Sequence, residues 1–365
     1  MTLALTEIQE HIRSAAAEGA PVQLLGSGSK SFYGEVPQGL PLRISDFASL
    51  RGISSYEPSE LVVTVKAGTP LAELEQVLAE QNQHLAFEPP RFGGQGTVGG
   101  MVACGLSGPA RASMGALREH VLGITLLNGQ AEALNFGGTV MKNVAGYDVS
   151  RLIAGSMGIL GVILEVSLKV LPLPVAEATL RFEQSQAHAL NQLNRWGGLP
   201  LPINASAWWD GALLLRLSGA QAAVDAARQS LGGELIAPEL AQPFWLGLRD
   251  QSDEFFQAAQ RAVQGGAALW RLSLPQTAPA LDKLHGEQLL EWGGAQRWLT
   301  TAMPAAQVRE AAAQVGGHAS LFRATDKSAG VFAPLSPPLL RIHRELKKSF
   351  DPQGIFNPGR LYAGL

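Results

Sequence analysis

Cysteine is nearly absent: Cys104 is the only one in 365 residues. A single thiol excludes an internal disulfide framework, a self-contained iron–sulfur cluster and a cysteine-rich zinc site, each of which needs several thiolates. Charge is scarce too. Only 16% of the residues are Asp, Glu, Lys or Arg, the net charge is −3, and no Lys/Arg run could track a phosphate backbone. Nucleic acid is therefore not an expected partner. No stretch reaches the roughly 18 consecutive apolar residues of a spanning helix, and Met1–Glu10 lacks the basic-then-apolar order of a signal peptide. The expected location is cytoplasmic, with membrane attachment only through a partner. The seven histidines are dispersed, with no H-x-x-x-H or H-x-H, so no metal site is expected.

What is plentiful is apolar surface and glycine: 46% of residues are hydrophobic and 41 are glycine. This composition suits a packed enzyme, and the length suits two domains of about 150 residues each. Ile8 and Ile12 predict a first helix ending near Gly19. Val22–Leu25 predicts a buried strand, and Leu61–Val65 another. Thr69-Pro70 reads as an N-cap and first-turn proline ahead of Leu71, Leu74 and Leu78. Seven of the sixteen residues 93–108 are glycine, a density expected to exclude helix and central strand. Ile124–Leu127 and Ala131–Asn135 around Asn128-Gly129 predict a hairpin with positive φ in the turn. The alternation in Val162–Val170 predicts a long strand with one buried face.

Leu171-Pro172-Leu173-Pro174 marks the candidate boundary between a first domain, 1–173, and an α+β domain, 174–335. Strands are expected there near Thr179–Phe182, Leu213–Leu217, Ala268–Leu274 and Arg297–Thr300, with helices over Ala187–Trp196, Ala220–Leu231 and Ala305–Val315. A capped helix bearing Leu339, Ile342 and Leu346 on one face opens the tail, 336–365, which is expected to return to the first domain. The overall class is α+β: a small α/β unit plus a mostly antiparallel sheet with helices, then the second domain.

Glycine-rich loops can wrap a diphosphate because glycine permits close backbone approach and left-handed angles that turn successive amides inward. Three such loops occur, at Gly26–Lys30, Gly93–Gly108 and Gly155–Gly161, with Ser29, Thr97 and Ser107 as hydroxyl donors. Tight turns between strands are the plainer alternative. Neither G-x-G-x-x-G with a following acidic residue nor G-x-x-x-x-G-K-[ST] is present, so a nucleotide would be held by some other arrangement.

Gly96-Thr97-Val98-Gly99-Gly100, with Cys104-Gly105-Leu106-Ser107-Gly108, resembles the central flavin loop of the vanillyl-alcohol oxidase (PCMH-type) FAD-binding domain. Lys142-Asn143-Val144-Ala145-Gly146-Tyr147-Asp148 and Gly155-Ser156-Met157-Gly158-Ile159-Leu160-Gly161-Val162-Ile163 carry the same resemblance. Phe350-Asp351-Pro352-Gln353-Gly354-Ile355-Phe356-Asn357-Pro358-Gly359-Arg360 is similar to the terminal motif of its 2-hydroxy-acid oxidising branch. Within that branch the length and Gly105–Arg111 are most similar to the FAD-binding subunits of glycolate oxidases.

The resemblance implies that Gly26, Ser27, Gly28, Ser29 and Lys30 form a first pyrophosphate loop and Gly96–Gly108 a second. It implies that Gly155, Gly158 and Gly161 with Val162 and Ile163 face the adenine side or the ring system, and that Arg360 is a cation near the flavin. A surface arginine is the alternative for Arg360. No histidine stands in the first loop, where some relatives attach FAD covalently, so FAD is expected to be non-covalent. Cys104 reads as a small buried thiol.

Larger substrate-oxidising relatives carry a Gly-Glu-His-Gly segment. Here His285-Gly286-Glu287 and Gly316-Gly317-His318 lack its order, so no catalytic residue is assigned. His318 reads as a helix cap, with a place facing the flavin as the alternative, and His343 as polar-face. Trp208-Trp209 and Phe244-Trp245 are either partner contacts or core. The resemblance implies an FAD subunit of a glycolate-oxidising complex, beside a homologous FAD subunit and an iron–sulfur subunit that takes the electrons. A self-sufficient oxidase or dehydrogenase of another hydroxy acid or a sugar is one alternative, and a flavin-free structural subunit is another.

Overall fold

The structure, a computed structural model, describes residues 2–139 and 147–365, so Lys142–Gly146 of the second motif lie outside the described residues. The chain divides into two units: Met1–Leu106, Ala116–Pro172 and Pro334–Leu365 form one, and Ser107–Gly115 with Leu173–Ala333 form the other. Among the described residues no helix is long and apolar enough to cross a membrane.

In the first unit, helix Thr2–Glu18 turns Ile8 and Ile12 fully into the core. Strand Val22–Leu25 follows and pairs in parallel with Leu40–Arg43. A five-stranded antiparallel sheet runs in the order Ile53–Glu57, Val62–Lys66, Val162–Lys169, Val121–Leu127, Ala133–Gly137. Val162–Lys169 is its middle strand. Both of its faces are largely buried, Ile163 and Ser167 included, where alternation alone predicted one. Helix Val98–Cys104 packs against it.

Three expectations fail for identifiable reasons. Thr69 is not an N-cap: Pro70 holds that position without a side-chain bond, and Thr69 Oγ1 instead accepts from Gly52 N at 2.9 Å. The glycine-dense stretch does contain a helix, Val98–Cys104, with Gly99 inside it. A Cβ on Gly99 would lie 2.7 Å from Ala67 Cβ, so glycine serves close helix–strand packing here, a need that outweighs its poor helix propensity. The hairpin forms, but positive φ falls on Ala131 and not on Gly129. Asn128 Oδ1 accepts from the amides of Gln130 and Glu132 at 2.9 Å each. Gly129 is needed because a Cβ would stand 2.6 Å from Asp351 Oδ1.

The last helix, Pro337–Phe350, also departs from its pattern. Leu339 and Ile342 are 47% and 61% exposed, while Lys347 points into the core. Its ammonium donates to Ile159 O (2.8 Å), Phe356 O (2.6 Å) and Asp351 Oδ2 (2.7 Å). Asp351 in turn accepts from the amides of Ile355 and Phe356. Removing one partner of a buried pair strands the other charge, so Lys347→Met is expected to cost roughly 3–5 kcal/mol in chemical denaturation. A loss below about 1 kcal/mol would show that the pair is dispensable. His343 sits on the same helix with Nδ1 2.8 Å from Leu339 O.

The second unit is an eight-stranded antiparallel sheet ordered Glu234–Ile236, Ala176–Glu183, Ala212–Gly219, Ile203–Trp209, Glu287–Glu291, Gln296–Thr301, Ala268–Ser273, His318–Arg323. Helices Gln186–Gly197, Gln221–Leu231, Pro238–Asp250, Glu254–Gln264 and Ala305–Gln314 belong to it. All seven tryptophans lie in this unit. Trp245 is buried and donates to Thr179 Oγ1, Trp208 donates to Gln184 O and Trp209 to Glu287 Oε1, so internal packing accounts for each. Phe244 stacks edge-on against Trp245. His318 caps no helix. It is the first residue of a strand and pairs with Ser273.

Glu291 is 3% exposed, and its Oε2 accepts from Gln296 Nε2 (2.8 Å) and Trp298 Nε1 (2.6 Å). Burial pushes its carboxyl up from 4.5 to about 7, against the pull of those two bonds. Burial likewise raises Asp253, which caps Glu254–Gln264, to about 6. A carboxyl with a raised folded pKa binds more protons when folded. Its contribution is complete below the unfolded value and lost as pH rises through the folded one. This unit should therefore lose roughly 1–3 kcal/mol between about pH 5 and pH 8. Tryptophan fluorescence follows it selectively, and Glu291→Gln should flatten the profile. An unchanged slope in that variant would remove Glu291 as the cause.

Candidate functional site

Strand Val22–Leu25 delivers the chain into Gly26–Lys30. Gly28 adopts φ +87°, and the turn closes with Ser31 N donating to Gly28 O at 3.0 Å. Arg43 Nη1 and Ser45 Oγ hold the carbonyls of Ser27 and Gly26. Among the described residues, the amides of Ser27, Gly28 and Ser29 take part in no hydrogen bond within the protein. Lys30 is buried, with its ammonium 5.7 Å from the Phe92 ring and near the Cα of Gly96.

The second loop is spent differently. Thr97 caps helix Val98–Cys104, its Oγ1 accepting from Gly100 N at 3.2 Å. Val98 N donates to Thr69 O, Gly99 N to Ala67 O and Met101 N to Thr97 O. In the third loop Gly155 N donates to Val102 O and Met157 N to Ala103 O. These amides of the second and third loops are spent on the fold, whereas Ser27, Gly28 and Ser29 of the first keep theirs available.

The loops nevertheless converge. A Cβ on Gly26 would overlap Thr97 Oγ1 and lie 3.6 Å from Gly100 Cα; one on Gly105 would lie 2.9 Å from Gly155 Cα. Together they wall a cleft of about 540 Å³ lined by Gln23–Ser31, Pro37, Thr97, Gly100, Ala103, Cys104, Met157, Asn357 and Arg360. It adjoins a second space of about 410 Å³ that adds Ile44, Ala67, Gly99, Gly158 and Gly161–Ile163. Gly96, Val98, Gly105, Leu106 and Gly155 flank these spaces without lining them. Ser107 and Gly108 belong to the second unit, where Gly108 O accepts from Trp292 Nε1 at 3.0 Å.

Arg360 is no surface residue: it is 7% exposed. Its guanidinium donates to the carbonyls of Ser31 (2.8 Å), Tyr33 and Glu35, which ties down the segment after the first loop. Burial lowers its pKa, opposed by Cys104 and Glu35. Burial also raises the Cys104 thiol, against the pull of Lys30 and Arg360, so it stays protonated and is a poor nucleophile. Asn357 and Met157 were missed as lining residues. The signal for Asn357 was its place in Ile355-Phe356-Asn357-Pro358-Gly359-Arg360, and for Met157 its place between two glycines.

The residues fit a flavin dinucleotide. The first loop offers available amides beside a buried lysine, suited to the diphosphate, and the adjoining apolar lining suits an aromatic ring system. Among the described residues no group of His, Cys, Asp and Glu could hold a metal ion.

The fold and cleft define an FAD-binding oxidoreductase. A family described as "FAD binding domain" matches residues 5–151. Two solved structures of alkyldihydroxyacetonephosphate synthase share the fold at TM-scores of 0.64 and 0.63, with 16% identity, over 97% and 98% of this chain and 74% and 76% of theirs. Glycolate oxidase subunit GlcE of Escherichia coli (strain K12) is 47% identical over 98% of this chain and 97% of its own. Glycolate oxidase subunit GlcD of Bacillus subtilis (strain 168) is 29% identical over 48% of this chain and 37% of its own. D-lactate dehydrogenase of Anaerostipes hadrus is 32% identical over 44% and 33%. The chain belongs to the family of glycolate oxidase subunit GlcE, within the FAD-linked oxidoreductases, and its cofactor is FAD.

Proposed function

We propose that this chain is the FAD-holding subunit of a multi-subunit enzyme that oxidises glycolate to glyoxylate, releasing two electrons and two protons. The observation that carries the reading is end-to-end similarity to a glycolate oxidase subunit, joined to a cleft whose first loop keeps its amides available. Bound FAD supplies the two-electron acceptor chemistry. The chain's own part is to seat the diphosphate on Ser27–Ser29, to place Lys30 beside it and to wall the ring system with Gly161–Ile163. The first loop, Gly26–Lys30, holds no histidine that could carry a covalent flavin link, so the attachment is non-covalent. The chain's lone thiol cannot hold an iron–sulfur cluster, so electrons leave through partners: a homologous FAD subunit of the GlcD kind that meets substrate, and an iron–sulfur subunit that accepts the electrons. The assembly is proposed to be cytoplasmic, with any membrane contact made by a partner.

Purification of the chain alone and with its partner subunits tests this. The expected result is yellow protein that releases FAD on denaturation, reduces dye with glycolate only feebly alone, and turns over with partners present. Vigorous glycolate turnover by the isolated chain would overturn the relay role and favour a self-sufficient dehydrogenase. A colourless preparation that takes up no added FAD would overturn the whole reading.

A further inference from the structure

The tail segment Ile355–Asn357 extends the small parallel sheet. Val22 N donates to Ile355 O at 2.8 Å, Asn357 N donates to Val22 O at 3.0 Å, and Phe356 bridges Val22 in parallel. At Leu24 the backbone ladder is replaced by a side chain. Asn357 Oδ1 accepts from Leu24 N at 2.8 Å, and Nδ2 donates to Leu24 O at 3.4 Å. The carboxamide thus imitates the next peptide of an edge strand. Its second N–H reaches Met157 O at 2.7 Å, in the third glycine loop. One amide therefore links the strand that launches the first loop, two residues before Gly26, to the loop on the other wall of the cleft.

The surroundings are built around this link. Asn357 is 5% exposed and holds φ +40°, a left-handed conformation that asparagine tolerates better than most residues. Gly158, at φ +76°, has no room for a Cβ, which would stand 2.7 Å from Asn357 Nδ2. Lys347 holds Ile159 O and Phe356 O from the far side. Only a side chain with a donor and an acceptor on one planar group satisfies Leu24 and Met157 together.

We propose that Asn357 is the positioning residue that sets the spacing between the first and third glycine loops and thereby the affinity for FAD. This rests on the reading of the cleft as the FAD site. The test uses the full chain freed of flavin and titrated with FAD, with circular dichroism recorded on each variant. Asn357→Asp keeps the shape and the acceptor but sets a carboxylate against two carbonyl oxygens. FAD binding should weaken at least tenfold relative to wild type at pH 8. Burial against two carbonyl oxygens raises that carboxyl above the ordinary aspartate range, so the deficit should shrink towards pH 5 as the protonated form regains one O–H donor. Asn357→Gly keeps the left-handed backbone and deletes the carboxamide. It should bind weakly at both pH values, and it serves as the folded comparison if the aspartate variant does not fold. If wild type binds FAD and the glycine variant matches it within twofold, the proposal fails even if the melting temperature drops. An aspartate variant whose deficit is the same at both pH values also overturns it. If wild type takes up no FAD, the underlying reading fails instead.

Discussion

Gly26→Ala should strip the protein of FAD, with affinity falling at least about 100-fold, or roughly 3 kcal/mol. Gly26 opens the first loop, and a methyl group there would overlap Thr97 Oγ1 and lie 3.4 Å from Thr97 Cβ and 3.6 Å from Gly100 Cα. To make room, Thr97 must swing its hydroxyl away and give up its bond to Gly100 N, or the loop bearing the available amides must retreat. The helix cannot move cheaply, since Gly99 N is bonded to Ala67 O and a Cβ on Gly99 would already press on Ala67. Any backbone displacement therefore falls on Gly26–Lys30. Overpacking of this kind typically costs about 1–3 kcal/mol in stability as well. Combining it with Thr97→Ala removes the overlapping oxygen and should restore part of the binding, at the cost of the helix cap. Fluorescence titration of flavin-free protein measures both. Affinity within about threefold of wild type in the single variant would show that the two loops are not in register through this contact.

Arg360→Ala is expected to be nearly as damaging, and Arg360→Lys should rescue little. The guanidinium spreads its donors over three carbonyls, those of Ser31, Tyr33 and Glu35. An ammonium presents a point charge and cannot reproduce that fork. Each carbonyl left buried without a donor costs about 1–3 kcal/mol, so a loss of roughly 3–5 kcal/mol is expected for alanine. The segment that follows the first loop would be freed, and FAD should dissociate at a lower temperature than in wild type. Gly34 sharpens this expectation, because a Cβ there would stand 2.7 Å from Met157 Cε and 3.1 Å from Arg360 Nε. If Arg360→Ala changed only the flavin potential and left denaturation untouched, the side chain would be serving the ring and not the loop.

The parts of this fold written in local pattern were legible. Ile8 and Ile12 four residues apart gave the first helix, and alternation gave Val162–Lys169. What periodicity could not show was which amides a glycine leaves available. Gly99 and Gly129 are glycine because Ala67 and Asp351 come close, not because a ligand does, and those approaches are made by residues distant in sequence. The inward turn of Lys347 was hidden for a similar reason: its acceptors lie on Ile159, Asp351 and Phe356, while Leu339 and Ile342 advertised the wrong face. In the second unit, Pro243 and Gly247 inside Pro238–Asp250 masked a helix. The glycine motifs carried the cleft well, but its asparagine bridge depends on a pairing 333 residues apart.

Because Leu173–Ala333, the greater part of the second unit, is spliced in between Pro172 and Pro334, the tail of the flavin-holding body is separated from the rest of it by the whole insert. A protease that nicked the insert would cut no hydrogen bond of the seam at Val22, Leu24 and Met157. Two co-purifying fragments, still coloured, would then be the signature of a cofactor acting as a staple: a ligand that binds only the joined halves keeps them joined by mass action. Washing out the flavin should loosen the pair, leaving the seam and the Lys347 bonds to hold it.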